Sequence, residues 1–218
     1  NLQEKREALK NLEVFPGKEA DDLIVSYMDI LLKFKKEKEI YLEILECAKK
    51  RSVNSKTVTD AISRYNKYSQ KGDKPYIHLM YGGDANNGKE VAFGHPAAQC
   101  IRCHKIDNEG GILGPDLSKV GTNLPLVKIA QSIMEPGADF SKGFGIITLN
   151  MKDGSTVGGT YQDESDSTYE ILLADGKVQK VEKKDIKSES RLSPMPPMTS
   201  ILSISEIRDL VAYMKSLK

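Results

Sequence analysis

Cys100-Ile101-Arg102-Cys103-His104 is the stretch whose residue types and spacing point most directly to chemistry. It reads C-x-x-C-H, the attachment sequence for a c-type haem. Two thiols at this spacing add across the two porphyrin vinyl groups as thioethers. The histidine that follows at once brings an imidazole under the iron as the proximal axial ligand. The chain holds three Cys and three His in total. A structural zinc site needs four ligands, usually as two separated pairs, and the only other cysteine is Cys47. A dithiol C-x-x-C of the thioredoxin kind sits near a βαβ pattern, and none precedes this one.

The flanking segments supply elements that could position such a group. Asp84 reads as the N-cap of a short helix running to Phe93, and Gly88 within it would let another helix cross closely. Downstream, Gly111-Ile112-Leu113-Gly114-Pro115-Asp116-Leu117 is a loop, because proline cannot continue a helix. It can place a backbone carbonyl on the free nitrogen of His104 and fix its tautomer. Near the end, Ser193-Pro194-Met195-Pro196-Pro197-Met198 precedes a helix. Ser203 and Glu206 form its capping box. Ile204, Ile207, Leu210, Val211, Met214 and Leu217 give it an apolar stripe.

The rest of the chain reads as two further regions. Residues 1–82 are expected to be helical. Leu23, Ile24, Tyr27, Ile30, Leu31 and Phe34 recur at helical spacing. Ile40, Leu42, Ile44, Leu45, Cys47 and Ala48 follow in a second helix. Val58, Ala61, Ile62 and Tyr65 make a third, capped by Asn54 or Ser55. Short antiparallel helices of this kind suggest a HEAT-like repeat, and Cys47 reads as a buried small hydrophobe. Between the Pro loop and the Met loop, residues 140–189 change character. Phe144 to Met151 alternates as a strand, with Ile147, Leu149 and Met151 on one face. Asp153-Gly154 turns it into Thr156–Tyr161. Thr168–Leu173 and Lys177–Val181 flank a second turn at Asp175-Gly176, and Asp185-Ile186 begins a last short strand. The expected fold is therefore mainly α: a helical segment (1–82), a helical domain in two parts (83–139 and 190–218), and a small antiparallel β insertion (140–189).

The order helix, C-x-x-C-H, G-P-x-L loop, Met-Pro loop and amphipathic terminal helix resembles a class I cytochrome c domain over residues 83 to about 136 and 190–218. Ala92 stands where that family usually has an aromatic, and Phe93 is its neighbour. With Val120-Gly121, Gly143-Phe144, Lys152-Asp153-Gly154 and Asp185-Ile186 included, residues 83–218 resemble a haem-binding domain family common in Planctomycetes, Verrucomicrobia and Bacteroidetes. The resemblance implies one covalent haem c on Cys100 and Cys103, with iron ligated by His104 and Met195 and with Pro115 orienting His104. Met198 is the alternative sulfur ligand, and both methionines could instead simply fill core gaps. His78 and His95 read as surface or packing histidines. In that family the domain typically ends a large exported protein in which helical repeats and often a dehydrogenase-like β-propeller precede it. The implied role is one-electron transfer, accepting electrons from an upstream dehydrogenase module or another redox partner. A six-coordinate iron argues against an enzyme. The alternatives are a haem enzyme or gas sensor with an open sixth position, and a partner-binding module.

Composition bounds these readings. The formal net charge is +1, which gives no case for nucleic acid or an anionic membrane. The Lys-rich runs at 33–38 and 183–187 read as solvated faces. No stretch approaches the apolar length of a transmembrane helix. Haem c is attached outside the cytoplasm, so a periplasmic or otherwise exported location is expected. The start at Asn1, without a signal peptide, is expected to be an internal one.

Overall fold

A computed structural model describes residues 1–33, 36–69 and 75–218. Phe34, part of the first expected apolar stripe, and Lys35, part of a Lys-rich run, lie outside the described residues. Among the described residues, eight α-helices are formed: α1 (Leu2–Val14), α2 (Lys18–Lys33), α3 (Tyr41–Ser52), α4 (Lys56–Ser69), α5 (Ala85–Gly94), α6 (Val120–Asn123), α7 (Leu126–Met134) and α8 (Ile204–Ser216). Seven strands accompany them: β1 (Lys105–Ile106), β2 (Glu109–Gly110), β3 (Ile146–Met151), β4 (Thr156–Glu164), β5 (Thr168–Leu172), β6 (Val178–Glu182) and β7 (Ile186–Leu192). Internal packing divides the chain into two units. One comprises Asn1–Gln99, Lys119–Ala130 and Leu202–Lys218, and the other Cys100–Ser118 and Gln131–Ile201. No helix among the described residues is long and apolar enough to cross a membrane.

In the first unit, the apolar stripes of α2, α3 and α4 converge on one core. Ile24, Met28, Leu31, Tyr41, Ile44, Cys47, Val58 and Ala61 are buried there. Burial pushes the Cys47 thiol up to about 11, so it stays a neutral, apolar filler. Helix α1 contributes only Leu9 to the fully buried set. Its apolar period is correspondingly faint, and the sequence marks no separate helix there. Within the same unit α5 and α8 cross at small residues. A Cβ on Gly83 would lie 2.4 Å from the Arg208 carbonyl oxygen, and one on Gly88 would lie 2.0 Å from that of Asp209. Two of the expected caps are formed. Asp84 accepts from the backbone N–H groups of Asn86 and Asn87, and Ser203 and Glu206 make a reciprocal box. Phe93 meets Tyr213 edge-on at 6.4 Å between centroids, so the aromatic beside Ala92 bridges the two helices. Arg208 is buried and pairs with Glu43 at 2.7 Å.

The second unit carries the correction to the expected fold class. The chain is not mainly α with a small insertion. Half of it is helical, and a five-stranded antiparallel sheet in the order β6-β5-β4-β3-β7 stands beside a two-stranded β1-β2 hairpin. Two strands are longer than their sequence suggested. β4 continues to Glu164, and the last strand is a seven-residue β7 paired along β3. β7 is an edge strand with five of its seven residues exposed, so Lys187-Ser188-Glu189-Ser190 shows no apolar alternation to read.

This sheet curls into a barrel, and connection lengths show why. A flat sheet of five strands sets its edges about 19 Å apart. β6 ends at Glu182 and β7 starts at Ile186 at the opposite edge, yet four residue steps reach at most about 14 Å. The single 3-10 turn between them (Lys183–Asp185) is pinned from both sides. Lys183 donates its N–H to the Ser167 carbonyl at 2.7 Å, and Lys152 donates its own to Asp185 at 2.8 Å. Ile147, Leu149, Tyr161, Tyr169, Ile171 and Val181 fill the interior. The two Asp-Gly loops share one form. Gly154 and Gly176 adopt positive φ while their aspartates do not. Met151 N–H to Ser155 and Leu173 N–H to Lys177 close the loops. This is the three-residue turn with a glycine bulge rather than a two-residue hairpin.

Two outcomes are expected for the helical unit. Gly88→Ala should lower its stability by at least ~1–3 kcal/mol in urea denaturation, since backbone must move to admit the methyl; an unchanged midpoint would mean that the helices do not cross so closely. His78 is half-buried, and its Nδ1 faces the Tyr65 hydroxyl at 3.1 Å. Burial lowers its pKa from 6.5 to about 4. As pH falls through about 6.5 the unfolded chain takes up this proton and the folded unit does not, so His78 makes stability decline from there down to about pH 4. An NMR titration should place His78 near pH 4; a midpoint above 6 would contradict its burial.

Candidate functional site

The second unit holds Cys100, Cys103, His104, Pro115, Met195 and Met198 together. Cys100 and Cys103 sit on a tight turn. Cys100–Arg102 is a 3-10 helix, and the Cys100 carbonyl accepts from the N–H groups of Cys103 (3.2 Å) and His104 (2.9 Å). Both thiols are free, Cys100 half-buried and Cys103 exposed. Burial pushes the Cys100 thiol up. That is unfavourable for a dithiol redox pair, which needs a lowered thiol.

The β1-β2 hairpin and the loop after it wrap this turn. Gly111 donates its N–H to Ile101, Gly114 to Cys103 and Leu117 to Lys105, each at 2.8 Å. The loop is thus stitched at three points to the segment that carries the motif. It delivers the Pro115 carbonyl to His104, with oxygen 2.8 Å from Nδ1. A carbonyl only accepts, so Nδ1 carries the proton, and the neutral ring keeps a lone pair on Nε2. The ring also rests against Gly114, where an added Cβ would lie 2.6 Å from Cε1 and 2.7 Å from Nδ1. Pro115 is the residue expected from the sequence to orient His104, and Gly114 is not. The Gly-Pro pair was legible as a loop signal, whereas the ring seated on the glycine is a contact across ten residues.

The methionines belong to the same unit. Met195 is half-buried and Met198 buried. Ser193 Oγ accepts the Met195 N–H at 3.1 Å, which fixes the entry to that loop. A cavity of about 440 Å³ is lined by Leu113 from the Pro loop and by Ser193 and Pro194 from the Met loop, together with residues of β3, β4 and β7. Its size falls in the ~300–1,000 Å³ range of small-molecule and cofactor sites.

These residues fit a haem held through two thioethers. Two free thiols share one turn, the adjacent histidine is in the tautomer that offers Nε2, and soft thioether sulfurs stand in the same unit. A tetrahedral zinc is a poorer fit, because no group of three or more His, Cys, Asp and Glu side chains among the described residues is arranged to hold a metal ion. The two remaining histidines do other work in the first unit. His78 pairs with Tyr65. His95 Nδ1 accepts from the backbone N–H groups of Ala97 and Ala98, and its Nε2 lies 3.8 Å from Glu206.

Nitrogen-15 NMR of the haem-free chain should show neutral His104 protonated on Nδ1. Gly114→Ala should abolish that single-tautomer signature by displacing the ring from Pro115; a ring protonated on Nε2 in the parent chain would contradict the arrangement. No family model matches this chain, and no curated protein shows significant similarity to it.

Proposed function

We propose that this chain is a one-electron carrier built on a single covalently attached haem c. The observation that carries the reading is the His104 ring. Its proton is committed to the Pro115 carbonyl in a residue directly adjoining two free cysteines on one turn. When bound, the haem iron supplies a one-electron couple tuned by its axial ligands and surroundings.

The chain's own residues then have distinct tasks. Cys100 and Cys103 hold the macrocycle by carbon–sulfur bonds. His104 presents Nε2, and its Nδ1–H bond to Pro115 makes the imidazole a stronger donor. Gly114 leaves room for the ring. Met195 would hold the iron through a neutral, soft sulfur, with Met198 as the alternative, and a Met/His pair would raise the potential. Ser193 and the prolines at 194, 196 and 197 restrict the Met loop. With His104 and a Met-loop sulfur both holding the iron, the chain would move electrons between partners and would make or break no substrate bond. The partners in this reading are an upstream dehydrogenase module or another redox protein. The location is periplasmic or otherwise exported, where haem c is attached.

The test is the absorption spectrum, oxidised and reduced, of protein exported from a host competent for c-type maturation, with a pyridine haemochrome assay. The expected result is a low-spin c haem whose ferric sulfur–iron band is lost in Met195→Ala and retained in Met198→Ala. The reverse pattern would transfer the ligand role to Met198. A high-spin spectrum in the parent chain would favour an enzyme or sensor, and absence of haem would overturn the reading.

A further inference from the structure

The outer face of a sheet that meets water is ordinarily polar. Along β3, Ile147 and Leu149 point into the barrel and are fully buried, so Ile146 belongs to the outer face, and it is 48% exposed. Its direct cross-strand partners are Leu192 on β7 and Thr160 on β4. Leu192 is 63% exposed. Two large aliphatic residues therefore stand side by side where polar ones are expected, and neither packs in the barrel core.

Both line the cavity of about 440 Å³ described above, with Thr160, Phe144, Pro194 and Leu113. Leu113 is 72% exposed and directly precedes Gly114, on which the His104 ring rests. Pro194 directly precedes Met195. The apolar lining is thus continuous in sequence with the seat of one axial ligand and with the other. An apolar surface next to both segments suits contact with the edge of a broad apolar body, and a porphyrin has that character.

We propose that the outer face of the barrel at Ile146 and Leu192, with Leu113 opposite in the loop, is an apolar wall of the haem pocket. This rests on the haem reading above. The sheet is then part of the cofactor site rather than a lid added to it. Ile146, Leu192 and Leu113 exclude water from the macrocycle, and a drier surrounding disfavours the more highly charged ferric state.

Hydroxyl-radical footprinting compares the haem-loaded chain with its Cys100→Ala/Cys103→Ala variant, each at two protein concentrations. Leu113, Ile146 and Leu192 should be protected several-fold in the loaded chain alone. Val178, on the same sheet and 55% exposed but outside the cavity, should not change. Leu192→Glu should also lower the reduction potential, by an amount of order a tenfold change in the ferrous-to-ferric ratio, which is 59 mV for one electron. Val178→Glu should leave it unchanged. These positions are exposed, so the substitutions spare the core. A loaded chain with all three residues as reactive as in the variant would overturn the wall and leave the haem reading standing. Protection that follows protein concentration in both chains would assign the patch to a second copy and overturn it too. A parent chain that acquires no haem would overturn both readings.

Discussion

An imidazole can carry its proton on either ring nitrogen, and the choice decides whether the other can bind a metal. In this protein the choice is made by the backbone. The Pro115 carbonyl, 2.8 Å from Nδ1, takes the proton on that side, and Nε2 is left as the donor atom. Everything around the site serves this bond. The turn at Cys100–Arg102 sets where the ring starts, three backbone hydrogen bonds lash the Pro loop to it, and Gly114 removes the one methyl that would push the ring away. The functional reading depends on this constraint more than on the cysteine spacing alone, since the cysteines without an oriented imidazole would suit other chemistry.

The barrel enters the same account through its shape. Joining β6 to β7 by only three residues forces the sheet edges together, which gives the strands an inside and an outside. The inside is filled by its own core. The outside would ordinarily be wetted, yet at Ile146 and Leu192 it is apolar and borders the cavity between the Pro and Met loops. Curling of the sheet and the apolar patch beside the two loops thus involve the same pair of neighbouring strands.

What was legible in the sequence was local. C-x-x-C-H, the Asp84 cap, the Ser203–Glu206 box and the small residue at Gly88 each depend on a few neighbouring residues or on one side chain's volume. The two Asp-Gly turns were visible too. What escaped depends on partners distant in the chain. β7 is held by pairing with β3, not by its own alternation, so only its start at Ile186 is legible in the sequence and the extent of the sheet is not. Helix α1 buries one residue fully and left little periodicity. The seat of His104 on Gly114 is a tertiary contact that no spacing rule reports. Composition likewise could not choose between Met195 and Met198, because a thioether in a ligand loop and one in a core look alike.

The central claim is that the two thiols beside the oriented imidazole are attachment points. Intact-mass spectrometry of the denatured protein, exported from a host with c-type maturation machinery, tests it most directly. The account predicts a chain heavier by one haem, the added mass persisting through denaturation and disappearing in Cys100→Ala/Cys103→Ala. A chain at its unmodified mass with both thiols open to alkylation would contradict it.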